Sequence, residues 1–278
     1  MLVFPNCKIN LGLRILNKRE DGYHNLETIF YPVPLNDALE IIPSNNVDPV
    51  QFSSSGLVVS GDITDNLCVK AYLLLKKDFP KLPSVKIHLH KAIPMGAGLG
   101  GGSADAAFTL QLLNNQFELN LSTDQLISYA LQLGSDCPFF IINQPCIGTG
   151  RGEILEKISL DLSEYQLLLV NPGIHVNTSQ AFLSLQLPAV NAHPNPDLLA
   201  KIIKQPIDSW RYSLSNDFEK PVFENYAAIK EIKELIYKAG ASYAAMSGSG
   251  STVYGLFRKP LKPAISFNPG YFVSIISL

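Results

Sequence analysis

An alternation of apolar and polar residues opens the chain and predicts a β-strand over residues 2–13. Positions 7, 9, 11 and 13 are apolar and share one face, whereas Lys8, Asn10 and Gly12 share the other. The polar face of a sheet commonly meets solvent. The pattern alone therefore favours solvent exposure of Lys8 and Asn10 over a place in a functional site.

Helical and strand-like periods follow along the rest of the chain. Apolar residues at helical spacing predict helices over about 67–78, 103–113, 122–133 and 221–239. Short β-like runs cover 26–42, 50–59, 85–89 and 166–170, residues 148–153 predict a hairpin or bulge, and the Pro- and Asn-rich residues 186–197 predict a linker. This mixture predicts an α/β (α+β) fold.

Bulk composition excludes several classes of protein. The chain has 278 residues, enough for one long or two ordinary domains, and a net charge of −2, which argues against nucleic-acid binding. No run approaches 18 uninterrupted apolar residues, which argues against a membrane span. The four cysteines form no CxxC pair, as in proteins with reduced thiols. We therefore expect a cytoplasmic protein with neither a nucleic-acid nor a membrane partner.

A glycine-rich run at residues 94–107 is the strongest chemical signal. Five glycines occur within seven residues between a predicted strand and a predicted helix, and Ser103 occupies the expected N-cap position. Such a loop brings several N–H donors and the positive end of a helix dipole to one place, which suits a phosphate group. We therefore favour a phosphate site over the alternative interpretation, a merely flexible loop. No Lys follows the glycines, so the loop is not a P-loop, and it does not open a βαβ unit, which excludes the dinucleotide fingerprint.

Three other segments carry candidate chemistry with open alternatives. Asp136 precedes Pro138, Phe139 and Phe140, where it is either the N-cap of a short turn or a partly desolvated acid. Tyr23 and His24 end a predicted turn and suit either a substrate rim or plain packing. The Gly/Ser cluster at 246–252 is either a second source of donors for an anion or a simple turn.

These segments, taken together and in this order, resemble the GHMP superfamily of kinases. The three superfamily motifs correspond to residues 4–11, 94–107 and 246–252. Within it, the chain is most similar to the family that phosphorylates 4-diphosphocytidyl-2-C-methyl-D-erythritol for isoprenoid synthesis by the non-mevalonate route. The blocks that carry this finer resemblance are 21–24, 65–67, 134–140, 171–173 and 216–219.

The resemblance implies a catalytic pair and a set of ATP contacts. Asp136 would take the proton of the substrate 2-hydroxyl, and Lys8 would keep that carboxylate ionised and stabilise the transferring phosphoryl group. This reverses the preference for solvent exposure at Lys8. The implied adenine contacts are Asn66, Leu67 and Lys91, and the implied phosphate loop comprises Pro94, Gly96, Gly98, Leu99, Gly100, Gly101, Gly102 and Ser103.

On the substrate side, the resemblance implies that Tyr23 and Phe182 sandwich cytosine while His24 reads the edge of the base. Asn10 and Thr178 would contact the phosphates or the methylerythritol part. The implied cofactors are ATP and Mg²⁺, with Ser103 near the metal and the phosphate oxygens. No residue matches the Glu that binds Mg²⁺ in several superfamily members, so ATP would bring the metal with few protein ligands. We assign no role to Asp105, which we expect to point away from the phosphates.

The implied architecture is a two-domain GHMP kinase fold, with an N-terminal ATP-binding and catalytic domain over 1–155 and a C-terminal domain over 156–278. The active site is expected in the cleft between them. Two alternatives remain: another GHMP kinase of the mevalonate or homoserine type, and a non-catalytic nucleotide-binding protein of the same fold. The non-catalytic protein and a kinase would both bind ATP, so only a measurement of turnover distinguishes them.

Overall fold

The structure is a computed structural model that describes residues 1–59, 61–185, 195–261 and 263–278. Its contacts divide the chain into two compact units that interleave along the sequence. Unit 1 contains residues 1–7, 35–95 and 100–144, and unit 2 contains residues 8–34, 96–99 and 145–278. The boundary expected at residue 155 separates consecutive segments, whereas the compact units exchange segments at five points between residues 7 and 145.

Unit 1 combines one four-stranded sheet with four helices in its described residues. The strands are β1 (Leu2–Val3), β4 (Ala38–Pro43), β5 (Val50–Gly56) and β6 (Val85–Lys91). Their order is β1-β4-β6-β5, with β6 antiparallel to β4 and parallel to β5. The helices are α1 (Leu67–Asp78), α2 (Gly101–Gln116), α3 (Thr123–Leu133) and α4 (Cys137–Ile142), and a 3-10 turn covers Ile63–Asp65.

The helices of unit 1 largely follow the sequence pattern. The predicted bounds of α1 are confirmed, and its side chains Tyr72 and Leu75 are fully buried. A capping box begins α3, because the Ser122 side chain accepts from Gln125 N while the Gln125 side chain accepts from Ser122 N. Contacts of α1, α3 and α4 with α2 make α2 the central helix of the unit.

Unit 2 is built on two further four-stranded sheets. The first has the order β2-β3-β7-β8, with β2 (Asn6–Lys18), β3 (His24–Asn36), β7 (Cys146–Thr149) and β8 (Ile154–Lys157). The second is antiparallel with the order β10-β11-β9-β12, and comprises β9 (Tyr165–Asn171), β10 (Tyr243–Met246), β11 (Val253–Arg258) and β12 (Phe272–Ser277). The predicted hairpin at 148–153 is confirmed as the β7–β8 turn.

Five helices complete the described part of unit 2: α5 (Thr178–Leu183), α6 (Pro196–Ile202), α7 (Ile207–Trp210), α8 (Glu219–Asn225) and α9 (Ala227–Lys238). The single helix predicted over 221–239 is wrong, because Tyr226 leaves the helical conformation at φ −135° and separates α8 from α9. The apolar face of α9, with Ile229, Ile232 and Ile236, packs into the core of the unit. Most of the predicted linker, residues 186–194, lies outside the described residues.

Both faces of β2 are buried, which overturns the exposure expected for its polar side. Lys8 is 3% exposed and Asn10 is 2% exposed, so they are buried like the apolar Ile9 between them. A buried charge and a buried amide require partners, because their desolvation is otherwise unfavourable. The residues that surround Lys8 and Asn10 are therefore central to the site.

Candidate active site

The glycine-rich loop has a backbone that other residues adopt poorly. Gly96, Gly98 and Gly100 have φ values of +62°, +76° and +70°. The main chain also comes close to its surroundings, since a Cβ on Gly98 would lie 1.9 Å from the carbonyl oxygen of Ser247. The predicted N-cap at Ser103 is wrong: α2 begins at Gly101, Gly100 occupies the cap position, and Ser103 is the third helical residue.

The second Gly/Ser cluster supports this loop within unit 2. Ser247 Oγ donates to the carbonyl oxygen of Gly98 at 2.9 Å, and Thr252 N donates to that of Ala97 at 3.2 Å. Asn216 in turn holds the cluster, because its Nδ2 group donates to the carbonyl oxygens of Met246 and Gly248 at 2.8 Å each. The cluster at 246–252 is therefore more than a simple turn, since it fixes the backbone of the glycine loop.

A cavity of about 340 Å³ lies in unit 1 beside the start of α1 and α2, and we call it the unit 1 cavity. Phe52, Leu67, Leu89 and Met95 give it largely apolar walls, while Asn66, Lys91, Gly102 and Asp105 add polar groups. Apolar walls with a few polar groups suit a planar heterocyclic base. All three residues predicted to contact adenine line this cavity.

A trio of buried charges lies at the edge of the unit 1 cavity. Lys91 Nζ donates to Asp37 Oδ2 at 2.5 Å and to Asp105 Oδ2 at 2.7 Å, and all three side chains are at most 4% exposed. Asp37 Oδ1 also accepts from the backbone N–H groups of Ala92 and Ile93. The trio thereby joins the end of β6 to α2, and it commits the Lys91 ammonium group to carboxylates rather than to a ligand.

Burial and charge shift the titration of two members of the trio. Burial opposes the charged form of Lys91, but Asp105 and Asp37 outweigh it and raise the pKa of the ammonium. Burial raises the pKa of Asp105 to about 7, an effect that Lys91 reduces and Asp37 reinforces. The Oδ1 atom of Asp105 is buried without a hydrogen-bond partner among the described residues. Asp105 thus faces Lys91.

Asp136 precedes α4 in unit 1, where its side chain does not cap the helix. Asp136 does occupy the predicted N-cap position, although its side chain makes no capping hydrogen bond. Burial raises the pKa of the neighbouring Cys137 thiol to about 12; a hydrogen bond with Ser103 acts against this shift, and the charge of Asp136 adds to it. Ser103 and Asp136 thus lie near the same thiol at the start of α2 and α4.

Lys8 and Asn10 form the polar centre of β2 in unit 2. Lys8 Nζ donates to Asn10 Oδ1 at 2.5 Å, and it also lies 5.3 Å from the ring centroid of Phe30. The backbone of Lys8 donates to the carbonyl oxygen of Leu99 at 3.0 Å, so the strand is fixed to the glycine loop. A buried ammonium with an amide acceptor is suited to act on an anionic group.

Two of the residues predicted for the substrate, His24 and Phe182, are in contact in unit 2. The rings of His24 and Phe182 stack with their centroids 4.6 Å apart and their planes 12° apart, and Phe182 meets Phe218 edge-on at 4.8 Å. Burial and the charge of Lys18 lower the pKa of His24, which favours a neutral imidazole. Thr178 begins α5, and its Oγ1 lies 2.9 Å from Ser249 Oγ in the second Gly/Ser cluster.

Sequence reasoning missed two charged residues of these sites. Asp37 had no visible signal except its place between two strands, because the pairing with Lys91 depends on tertiary structure. Arg151 lies in the β7–β8 turn, and its guanidinium carbon is 4.8 Å from the centre of the Tyr23 ring, where it covers one face. An Arg within a glycine-rich hairpin tip was the available clue to this contact.

In the described ranges, no three His, Cys, Asp or Glu side chains are grouped closely enough to hold a metal ion. Among the helices described, none is long and apolar enough to cross a membrane.

Two family models match the sequence. The model described as GHMP kinases N terminal domain matches residues 66–144, and the model described as GHMP kinases C terminal matches residues 187–266. Together they cover more than half of the chain, which confirms the superfamily resemblance carried by the three motifs.

Individual proteins give a finer likeness. A 4-diphosphocytidyl-2-C-methyl-D-erythritol kinase of Azobacteroides pseudotrichonymphae is 50% identical over 96% of this chain and 97% of its own, and one of Bacteroides thetaiotaomicron is 54% identical over 92% of both. A crystal structure of 4-(cytidine 5'-diphospho)-2C-methyl-D-erythritol kinase has a TM-score of 0.76 at 30% identity, covering 92% of this chain and 90% of its own. Methanococcus jannaschii mevalonate kinase shares the fold alone, with a TM-score of 0.71 at 13% identity over 100% of this chain and 98% of its own.

Proposed function

This chain belongs to the 4-diphosphocytidyl-2-C-methyl-D-erythritol kinase family of GHMP kinases, and we propose that Lys8 and Asp136 carry out its reaction. The enzyme transfers the γ-phosphoryl group of ATP to the 2-hydroxyl of 4-diphosphocytidyl-2-C-methyl-D-erythritol, a step of isoprenoid precursor synthesis. The observation that carries the assignment of the substrate pocket is the parallel stack of His24 on Phe182.

The His24–Phe182 stack supports recognition of a base. Because the two rings are parallel and offset, a base that stacks on Phe182 beside His24 lies in the plane of the imidazole. The edge of the base then faces the edge of His24, which is the geometry of an in-plane hydrogen bond. Tyr23 covers the other side of cytosine with the ring face that Arg151 leaves open. Stacking supplies contact area, and the hydrogen bond selects cytosine.

Phosphoryl transfer requires positioned charges and a base for the attacking hydroxyl. Asp136 accepts the proton of the substrate 2-hydroxyl as that oxygen bonds to the γ-phosphorus and the bond to the ADP oxygen breaks. The Lys8 ammonium, held by Asn10, stabilises the negative charge on the transferring oxygens. Asn10 and Thr178 bind the phosphate or methylerythritol part of the substrate.

The nucleotide side is supported by the unit 1 cavity and the glycine loop. The cavity walls around Asn66 and Leu67 accept adenine. The Lys91 backbone and aliphatic stem line the base, since its ammonium group is held by Asp37 and Asp105. Backbone N–H groups from Gly96 to Ser103 bind the phosphates, aided by the dipole of α2.

Mg²⁺ neutralises phosphate charge during this class of transfer. We propose that the metal arrives bound to ATP, since Mg²⁺ is typically held by substrate phosphates and waters with one or two protein ligands. We also place the enzyme in the cytoplasm, since all four of its cysteines are free and buried.

Asp136→Asn tests the assignment. We expect the wild type to consume ATP with the cytidyl substrate but not with mevalonate or homoserine, and the variant to lose at least about a hundredfold in kcat, as for removal of a general base. Asp124→Asn, on the exposed first turn of α3, is the matched control and should keep full activity.

Turnover on mevalonate or homoserine would contradict the cytosine pocket while leaving the fold assignment intact. ATP binding without turnover on any substrate would favour a non-catalytic nucleotide-binding protein. Full activity of Asp136→Asn would exclude Asp136 as the base.

A further inference from the structure

A chain of buried hydrogen bonds runs from Lys8 across β2 to β3. Lys8 Nζ donates to Asn10 Oδ1 at 2.5 Å, Asn10 Nδ2 donates to Thr28 Oγ1 at 3.0 Å, and Thr28 Oγ1 donates to the carbonyl oxygen of Gly12. Thr28 is 0% exposed, and Lys8 and Asn10 are at most 3% exposed. Water is thus largely excluded, so these groups depend on one another for hydrogen bonds.

The direction of this chain is fixed at both ends. A carbonyl oxygen only accepts, so the Thr28 hydroxyl must donate to Gly12 and present a lone pair to Asn10. The Asn10 group that faces Thr28 must then be the NH₂, which leaves Oδ1 to face Lys8. An ammonium only donates, so this is the orientation of the amide that Lys8 requires. All three donors point the same way, and such chains polarise cooperatively.

Gly12 makes the terminal acceptor possible. Its φ of +68° departs from strand geometry in the middle of β2 and turns the local backbone. A Cβ at this position would also lie 3.1 Å from Leu214 Cδ2. Glycine therefore satisfies both the backbone conformation and the packing at the point where the carbonyl meets Thr28.

We propose that Thr28 is a positioning residue for phosphoryl transfer, because its hydroxyl fixes the Asn10 amide and thereby the Lys8 ammonium. This inference deepens the proposed function, since it rests on the role given there to Lys8. Thr28 contacts neither reacting group itself; it determines which end of the Asn10 amide the ammonium meets.

Thr28 holds the side chain of Asn10 and the carbonyl of Gly12, but not the backbone of Asn10. The backbone of Asn10 is held separately, because its N–H donates to Ser247 Oγ at 3.3 Å and its carbonyl accepts from the Tyr254 hydroxyl at 2.7 Å. Removing the Thr28 hydroxyl therefore leaves the strand in place and frees the amide to rotate. Without an acceptor for its NH₂ group the amide is held less firmly, and the Lys8 ammonium that donates to its Oδ1 loses a fixed position.

The experiment compares Thr28→Val, which keeps the shape of the side chain, with Thr28→Ser, which keeps the hydroxyl. We expect Val to lower kcat by about tenfold to a hundredfold, with the KM for ATP changed less than about twofold. Ser should restore kcat to within about threefold of wild type. Thr109→Val is the matched control, since Thr109 is also 0% exposed but its hydroxyl donates to the Asp105 carbonyl within α2.

A double variant tests whether Thr28 acts through Lys8. Thr28→Val should cause no further loss in a Lys8→Met background, because the group that it positions is gone. Equal activity of Thr28→Val and Thr109→Val, or a full additional loss in the double variant, would overturn the inference. If Val prevents folding, Thr28→Cys replaces it, and wild-type kcat in that variant would overturn the inference equally. Absence of wild-type turnover would instead contradict the proposed function.

Discussion

Lys91, Asp37 and Asp105 place one positive and two potential negative charges in a buried space at the edge of the unit 1 cavity. With both carboxylates ionised the group carries a net negative charge, which is unfavourable where water is excluded. Burial raises the pKa of Asp105 to about 7, and the charge of Asp37 reinforces this shift while Lys91 reduces it. Cys68 of α1 is a further titratable group near Asp105, and burial raises the pKa of its thiol.

Asp105→Asn should change how stability depends on pH. The unfolded chain releases this proton near pH 3.8 and the native protein near pH 7, so in wild type the free energy of unfolding falls as pH rises between these values. One such proton contributes at most about 1.4 kcal/mol per pH unit. Urea unfolding at pH 5 and pH 8 should therefore show a smaller loss of stability in the variant.

Asp124→Asn, on an exposed helical turn, is the control for this comparison and should follow the wild-type pH dependence. If the stability of Asp105→Asn and of wild type changed in parallel with pH, Asp105 would have the same pKa in the native and in the unfolded protein.

The sequence pattern predicted which residues share a face of a strand, but it did not predict whether that face is buried. The alternation in β2 placed Lys8 and Asn10 on one face, but a period of two does not reveal whether that face is covered. Their burial depends on contacts with residues far along the chain, such as Thr28 and Ser247. For the same reason the Lys91 trio was not foreseen, since Asp37 is 54 positions away.

At the scale of elements, the glycine loop and the second Gly/Ser cluster form one backbone structure. Gly98 lies directly against the carbonyl of Ser247, and a Cβ on Gly248 would in turn lie 3.3 Å from the Cα atom of Gly98. Main-chain atoms cannot move aside as side chains can. Both positions therefore require glycine, because there is no room for a Cβ atom and because φ is positive.

Gly98→Ala should therefore disrupt the loop. The added Cβ meets the Ser247 carbonyl at 1.9 Å and the residue keeps a φ of +76°, so we expect a lower melting temperature and at least about a tenfold weaker affinity for an ATP analogue. Thermal unfolding and calorimetric titration measure the two effects.

Gly102→Ala is the comparison for stability. A Cβ at Gly102 meets only Leu67 Cδ1 at 3.8 Å, and alanine is favoured over glycine within a helix by about 1 kcal/mol. This variant should melt at or above the wild-type temperature. Equal melting of Gly98→Ala and wild type would show that the loop can move away from Ser247.

Helix existence was predictable, but helix ends were less so. Apolar spacing and the capping box defined α1 and α3. The start of α2 was displaced because two glycines, usually unfavourable in helices, adopt helical geometry before Ser103. The break at Tyr226 carries no Gly or Pro signal, so the periodic pattern continued through it.

At the scale of the molecule, the candidate contacts for the two substrates fall largely in different units. The unit 1 cavity belongs to unit 1, whereas Tyr23, His24 and Phe182 belong to unit 2. The division of the sequence between these units was not predictable, because sequence patterns indicate local periods and not which segments pack together.

Hydrogen exchange with single ligands should distinguish the two sets of contacts. Cytidine diphosphate should slow exchange at residues 23–25 and 178–183, and a non-hydrolysable ATP analogue should slow it at 61–68 and 96–104. Uridine diphosphate is the control and should protect residues 23–25 less, because it lacks the cytosine amino group. Protection of one common set of amides by all three ligands would contradict the assignment.

The interleaving of the units limits how this protein can be divided. Strands β2 and β3 and the hairpin β7–β8 precede residue 158, yet they lie almost entirely in unit 2. A gene cut near residue 155 would therefore encode unit 1 together with nearly all of the sheet β2-β3-β7-β8 in one product, and the sheet β10-β11-β9-β12 in the other. Neither product corresponds to a compact unit, so separate expression of the two halves should yield fragments that do not fold on their own.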